Sequence, residues 1–276
     1  MDDTLVPDNP FLWWGPAGDS RPSRTLAWLV GQGTFSEAVA GLLAAAVANR
    51  LSLAVVAEPG GAGKTTLLTA ALAHLPPDAR RLYPRGRWET FAFLAHPDVR
   101  PERDALLVNE ISPHLPGYLW GAGVGRLIDA ARQGFPIYAT AHAADAHGLS
   151  RLLSDPDLAL PPGSGAAFHL VAAIDAAGDT RRVSGIWASA PARPGEFRAV
   201  LLGRGDATLA ELETGLRKAR RAGWAEDRDP PDAAAIADAI RRLDHGAGAD
   251  DADRDRPGRM LARGRSTRPN GRAQLP

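Results

Sequence analysis

Gly60, Gly61 and Gly63 fall within four positions and lead directly into Lys64, Thr65 and Thr66. Phosphate oxygens need several convergent N–H donors at close range, and side chains obstruct that approach. A run of Gly60, Gly61, Ala62 and Gly63 removes the obstruction. A helix beginning near Gly63 adds its positive N-terminal end to the same point. Lys64 then reaches the β- and γ-phosphates, the Thr65 hydroxyl ligates Mg²⁺, and Thr66 continues the cradle. The ligand implied is a nucleoside triphosphate, ATP, with Mg²⁺. The pattern is that of a P-loop, G-x-x-x-x-G-K-[ST], except that Glu58 stands where the first glycine belongs. A glycine-rich turn that merely precedes a helix carries the same letters. The distinguishing context is a strand before the loop and a helix after it.

A second polar pair ends the apolar run Leu106-Leu107-Val108 as Asn109-Glu110. In parallel sheets ligands sit at the carboxyl ends of the strands. There Glu110 can orient and deprotonate an attacking water, and Asn109 can hold the Mg²⁺ shell. The bland alternative is a strand-end pair facing solvent. A further apolar run, Phe135 to Thr140, leads into Ala141-His142, which places Thr140 and His142 at the same edge as sensors of the γ-phosphate. A lone loop histidine is equally compatible with a structural or solvated role.

The elements that must position these residues follow from apolar patterning. Thr34 or Ser36 caps a helix running to Asn49. Leu51 to Ala57 reads as a buried parallel strand, and Thr65 to Leu75 as a helix stopped by Pro76-Pro77. Residues 78–103 show no clear period. Leu106 to Val108 is a strand, Leu119 to Gln133 a helix, Phe135 to Thr140 a strand and Asp145 to Leu153 a helix. Ala167 to Ile174, Arg182 to Ala188 and Phe197 to Leu202 read as three strands spaced as a meander. Ala207 to Ala222 and Ala233 to Leu243 read as helices. This alternation predicts an α/β fold, a mostly parallel sheet covered by helices on both faces, with an antiparallel extension. Residues 1–24 read as an irregular arm, 25–205 as the nucleotide-binding domain, 206–245 as C-terminal helices and 246–276 as disordered.

Composition excludes several classes. The chain of 276 residues has no cysteine, so disulfides, zinc-thiolate sites and thiol catalysis are out. Its 32 basic and 32 acidic residues leave a formal net charge of zero, which gives no bulk drive toward nucleic acid, and no specific nucleic-acid partner is expected. Lys64 and Lys218 are the only lysines against an arginine-rich background. No basic n-region marks a secretory signal, and the apolar run Ala38 to Ala48 is too short to span a bilayer. A cytoplasmic protein follows, with attachment to the inner face of a membrane left open. The arginines from Arg256 to Arg272 read as a solvated tail, offset by the acids just upstream. Trp13, Trp14, Trp28, Trp120 and Trp187 read as packing residues, with at most one near the loop leaning on a base.

The order of these boxes resembles the secretion-superfamily ATPases, which power type II and type IV secretion, conjugation and type IV or Tad pili. The resemblance rests on the P-loop, Val108-Asn109-Glu110-Ile111-Ser112, and Ala139-Thr140-Ala141-His142-Ala143-Ala144-Asp145. Arg181-Arg182-Val183 resembles a late strand of that family, and the likeness covers roughly residues 25 to 205. It implies a RecA-like P-loop NTPase of three αβα layers and a hexameric ring. It also implies Lys64 and Thr65 for phosphate and Mg²⁺, Glu110 for catalysis, His142 for sensing, and membrane-embedded secretion or pilus subunits as partners.

Several positions depart from that pattern. Asn109 replaces the family glycine and Ser112 its arginine, and only residues 77–104 occupy the space of the acidic and arginine-bearing segments. Glu89 stands as the acidic counterpart there, and Arg85, Arg87, Arg100 and Arg103 as substitute arginines. These departures motivate a second reading, a nucleotide-binding regulatory or scaffold subunit that does not hydrolyse. A partitioning-type ATPase ranks lower, because Pro59 occupies the place of that loop's signature lysine.

Overall fold

Leu53-Ala54-Val55-Val56 is apolar at every position, and every one of its side chains is buried. A strand of that kind needs cover on both faces. In the computed structural model, which describes residues 24–58, 60–191, 197–225 and 228–249, this segment is β1 (Leu53–Val56) at the centre of a seven-stranded sheet. The other strands are β2 (Arg80–Leu82), β3 (Asp104–Ile111), β4 (Ile137–Ala141), β5 (Leu170–Ala177), β6 (Thr180–Pro191) and β7 (Phe197–Gly203). Their spatial order is β2-β3-β4-β1-β5-β6-β7. The first five strands are parallel, and β6 and β7 add an antiparallel meander.

Alternate residues of β1 feed two separate cores. Leu53 and Val55 face Leu42, Leu43 and Val47 of α2 (Glu37–Ala48) and Leu67 and Leu68 of α3 (Lys64–Leu72). α1 (Leu26–Gly31), α6 (Leu209–Arg221) and α7 (Ala233–Ala249) complete that layer. Ala54 and Val56 face Val124, Leu127 and Ile128 of α4 (Ala122–Arg132) and Leu149 and Leu153 of α5 (Ala146–Leu153). The result is a mixed α/β arrangement of three layers with a mostly parallel sheet. α2 is apolar all round because it lies beneath another helix, as a helix without a polar face must. At Gly41 an added Cβ would lie 2.6 Å from Ile240 Cγ1 and 2.8 Å from the Ile236 carbonyl, so α7 sits directly on α2.

Several elements differ from the sequence expectation. The predicted helix from Leu119 begins only at Ala122, because Leu119 exchanges backbone hydrogen bonds with Glu110 and Ser112 instead. β2 forms inside the stretch without apolar period, since three residues pairing with β3 need no alternation of their own. α1 is short and is capped by the Thr25 side chain. α7 runs on to Ala249, past the expected boundary at 246. The predicted aromatic arm and the arginine tail lie outside the described residues.

Candidate functional site

The loop between β1 and α3 lies at the carboxyl edge of the sheet. Gly61 and Gly63 adopt φ of +71° and +93°, a left-handed backbone that side chains with a Cβ rarely take. Gly63 is the N-cap of α3 and has no side-chain cap, so the first amides of that helix have no local acceptor. A Cβ built at Gly60, Gly61 or Gly63 would meet nothing within 4 Å, so the loop backbone is open to a ligand. Lys64, 6 % exposed, opens the helix, and Thr65 and Thr66 follow at half-buried positions.

Glu110 is brought to the same point by an irregularity in β3. Val108 pairs with Ala139 and Ile111 with Ala141, so β3 carries one more residue than β4 across that interval. Such a bulge is rare between parallel strands, and it re-aims the side chains it contains. Here it contains Asn109 and Glu110. The Thr140 hydroxyl donates to the Asn109 carbonyl, which ties the bulge to β4. β4 lies between β1 and β3, and the bulge turns Glu110 back across it toward the loop.

Lys64 Nζ lies 3.7 Å from Glu110 Oε2, too long for a good hydrogen bond but a close ion pair. Burial pulls the Lys64 ammonium below its ordinary range, and Glu110 opposes part of that shift. His142 Nε2 lies 2.8 Å from Glu110 Oε1, a close approach, and Oε1 is buried without a hydrogen bond. His142 Nδ1 donates to the Glu58 carbonyl at 3.0 Å, tying the β4 end to the loop. The structure therefore brings Lys64, Glu110 and His142 into one cluster beneath the glycine loop, with Thr65 and Asn109 adjacent to them in sequence.

These residues fit a Mg²⁺–triphosphate group on three counts. The loop amides are open, the buried ammonium has one carboxylate beside it among the described residues, and a buried carboxylate oxygen is left to accept from a water. Beside the loop a cavity of about 540 Å³ is lined by Arg24, Trp28, Gln32, Thr66, Thr180 and Arg181, among others. Trp28, one of the tryptophans that read in the sequence as packing residues with at most one leaning on a base, is 42 % exposed, with the Arg24 guanidinium 5.1 Å from its ring centroid. Arg181 Nε donates to the Gly61 carbonyl at 3.4 Å and Nη1 to Thr180, bracing the loop from the β5–β6 turn. Arg181-Arg182-Val183 was visible in the sequence, but its contact with the loop was not.

Other expected residues are engaged elsewhere. Glu89 uses Oε2 to accept from the Arg85 amide and Oε1 from the Phe91 amide, so it caps its own loop and does not face the cluster. Arg103 is ion-paired with Asp104, and the Arg100 amide donates to the same carboxylate. Asp104 is six residues before Glu110 on the same strand, roughly 20 Å away along the sheet. Arg87 is nearer the cluster, donating to the Pro113 carbonyl from the loop before β3.

No family profile and no curated protein sequence matches this chain. Among solved structures it is similar to the VirB11 ATPase of the Brucella suis type IV secretion system, determined in complex with sulphate. That match has 20% identity and a TM-score of 0.40, covering 68% of this chain and 64% of the other. It is also similar to the Legionella pneumophila ATPase DotB, at 16% identity and a TM-score of 0.29, covering 64% and 55%. The chain matches less than two thirds of the length of either. Both likenesses are limited in extent.

Proposed function

We propose that this chain binds ATP with Mg²⁺ and hydrolyses it, as a RecA-like ATPase of the type II/IV secretion or pilus class. The observation that carries the reading is the cluster of buried Lys64 and Glu110 with half-buried His142 beneath an open glycine loop. The amides of Gly60, Gly61, Ala62 and Gly63, with those of Lys64 to Thr66, wrap the β-phosphate. Lys64 exchanges its carboxylate partner for the β- and γ-phosphates, which releases Glu110. Glu110, now facing the γ-phosphorus, accepts a proton from the attacking water through the oxygen that lacks a donor. His142 stays tied to the Glu58 carbonyl and registers whether the γ-phosphate is present. Thr65 and Asn109 would hold the Mg²⁺, which neutralises charge on the triphosphate when bound. The nucleoside extends past Thr66 into the cavity, where Trp28 offers a ring to the base.

The assembled form is a homo-oligomer, a hexamer by family likeness. It works in the cytoplasm or at the inner face of a membrane, against membrane-embedded subunits of a secretion or pilus machine. No helix among the described residues is long and apolar enough to cross a membrane.

Titration calorimetry with Mg-ATP, paired with phosphate release, tests the reading. Removing preorganised charge from such a site costs about 3–4 kcal/mol in the transition state. Lys64→Ala therefore loses turnover by two to three orders of magnitude and weakens binding. Wild-type turnover in that variant would refute the assignment.

A second reading, nucleotide binding without hydrolysis, draws on the engagement of Glu110 by both Lys64 and His142. Ser112 in the arginine position points the same way. Thermal stabilisation by Mg-ATP with no phosphate release at high protein concentration selects it.

A further inference from the structure

Directly after Glu110 the chain makes a loop, residues 112–118, that is closed at its base. The Leu119 amide donates to the Glu110 carbonyl at 2.9 Å, and the Ser112 amide donates to the Leu119 carbonyl at 3.2 Å. Arg87 Nη2 donates to the Pro113 carbonyl at 2.9 Å and clamps the loop from outside. Within this frame Ser112 Oγ, almost fully buried, lies 2.6 Å from His114 Nδ1. The same hydroxyl oxygen accepts from the His114 amide at 3.2 Å. The hydroxyl and Nδ1 share one short hydrogen bond that orients the ring whichever of the two carries the proton. The His114 ring meets His142 edge to face, with centroids 5.4 Å apart and planes at 87°. His142 is thus held on three sides, by Glu58 O, by Glu110 Oε1 and by the ring of His114.

We infer that His114 is a positioning residue of the hydrolytic site: oriented by Ser112, it fixes the plane of His142 and so the approach of His142 to Glu110. The inference rests on the hydrolytic reading above. Ser112 stands where the resembled family has a cationic side chain. In this chain that position instead orients an aromatic ring that supports the neighbouring histidine. Because His114 is solvent-exposed, removing its ring does not threaten the core. Its effect passes through His142 alone, so nucleotide affinity is not its target.

The test compares wild type, His114→Ala, His114→Phe and Ser112→Ala in the full chain. Two readouts are taken: kcat and KM for Mg-ATP hydrolysis, and the imidazole ¹H–¹⁵N resonances of His142 in nucleotide-free protein. His114→Ala is expected to lower kcat about tenfold with KM changed less than twofold, and to shift the His142 resonances. His114→Phe, which keeps an edge-to-face ring, recovers most of that loss, and Ser112→Ala falls between. Wild-type kcat in His114→Ala overturns the inference, as does a His114→Phe variant no better than alanine. If wild type releases no phosphate, the hydrolytic reading fails, and the resonances alone decide the positioning role. A His142 ¹⁵N shift in His114→Ala larger than the lost ring current accounts for then supports it, and ¹⁵N signals that move no further than that overturn it.

Discussion

The cluster beneath the glycine loop assigns separable tasks to its side chains. Under the proposed function Lys64 serves binding and turnover together, because an ammonium opposite phosphate acts in both ground and transition states, and Glu110 serves the transition state alone. Glu110→Gln keeps the volume and loses the base, so phosphate release falls at least a hundredfold while Mg-ATP affinity stays equal or tightens, as single-turnover assays and calorimetry can establish. Tightening is physically reasonable, since the substitution removes a negative charge that competes with phosphate for Lys64. In the same reading Trp28 meets the other end of the ligand. Base–aromatic stacking is worth about 1–3 kcal/mol, so Trp28→Ala raises the Kd for ATP roughly tenfold with little change in kcat. Intrinsic tryptophan fluorescence quenched by nucleotide in wild type, and unquenched in the variant, would place the base there.

Strand β3 carries Glu110 of the candidate site at one end and a structural anchor at the other. At its amino end Asp104 is fully buried and receives Arg80 Nε at 2.8 Å and Nη2 at 2.7 Å. Burial alone would raise the Asp104 carboxyl. The hydrogen bonds from Arg80 and from the Arg100 amide outweigh it and hold the group below the usual carboxylate range. The ion pair in turn pushes the Arg80 guanidinium up. A carboxyl depressed in the folded state stabilises fully above its unfolded value, about pH 4, and loses that contribution as pH falls through its folded value. Asp104→Asn therefore destabilises by about 3 kcal/mol at pH 7, the scale of breaking a buried ion pair. The gap to wild type narrows on acidification below pH 4, which urea midpoints at pH 7 and pH 3 would reveal. The anchor bears on the site because it fixes the start of the strand whose bulge aims Glu110.

For the whole molecule, the sheet order sets which loops share the active edge. With β4 between β1 and β3, the β1 loop, the Glu110 bulge and the His142 turn emerge side by side. The same edge carries the loop containing Trp88, 69 % exposed, which joins residues 113–116 through Arg87. If the working form is a ring, Mg-ATP bound at this edge shifts the protein toward larger species. Sedimentation velocity should show a nucleotide-dependent, concentration-dependent rise in mass for wild type and a smaller one for Lys64→Ala. A monomer at all concentrations with saturating nucleotide would argue against the ring.

The sequence alone determined which residues form the glycine loop, because donor geometry at phosphate permits few residue types at a fixed spacing. It also determined the alternation of strands and helices, since burial on both faces leaves continuous apolar runs such as Leu53 to Val56. It could not determine the bulge at Asn109–Glu110, which exists only as a mismatch of register between two strands. It placed Glu110 at a strand end, but it could not show that Glu89 is consumed by its own loop amides while Glu110 keeps an oxygen without a hydrogen bond. Trp28 could not be singled out among the tryptophans, and His114 gave no signal, for a related reason. One becomes notable through its exposure beside a cavity, the other through a ring drawn from a different strand end. Both depend on distances between segments far apart along the chain, and only the tertiary fold sets those distances.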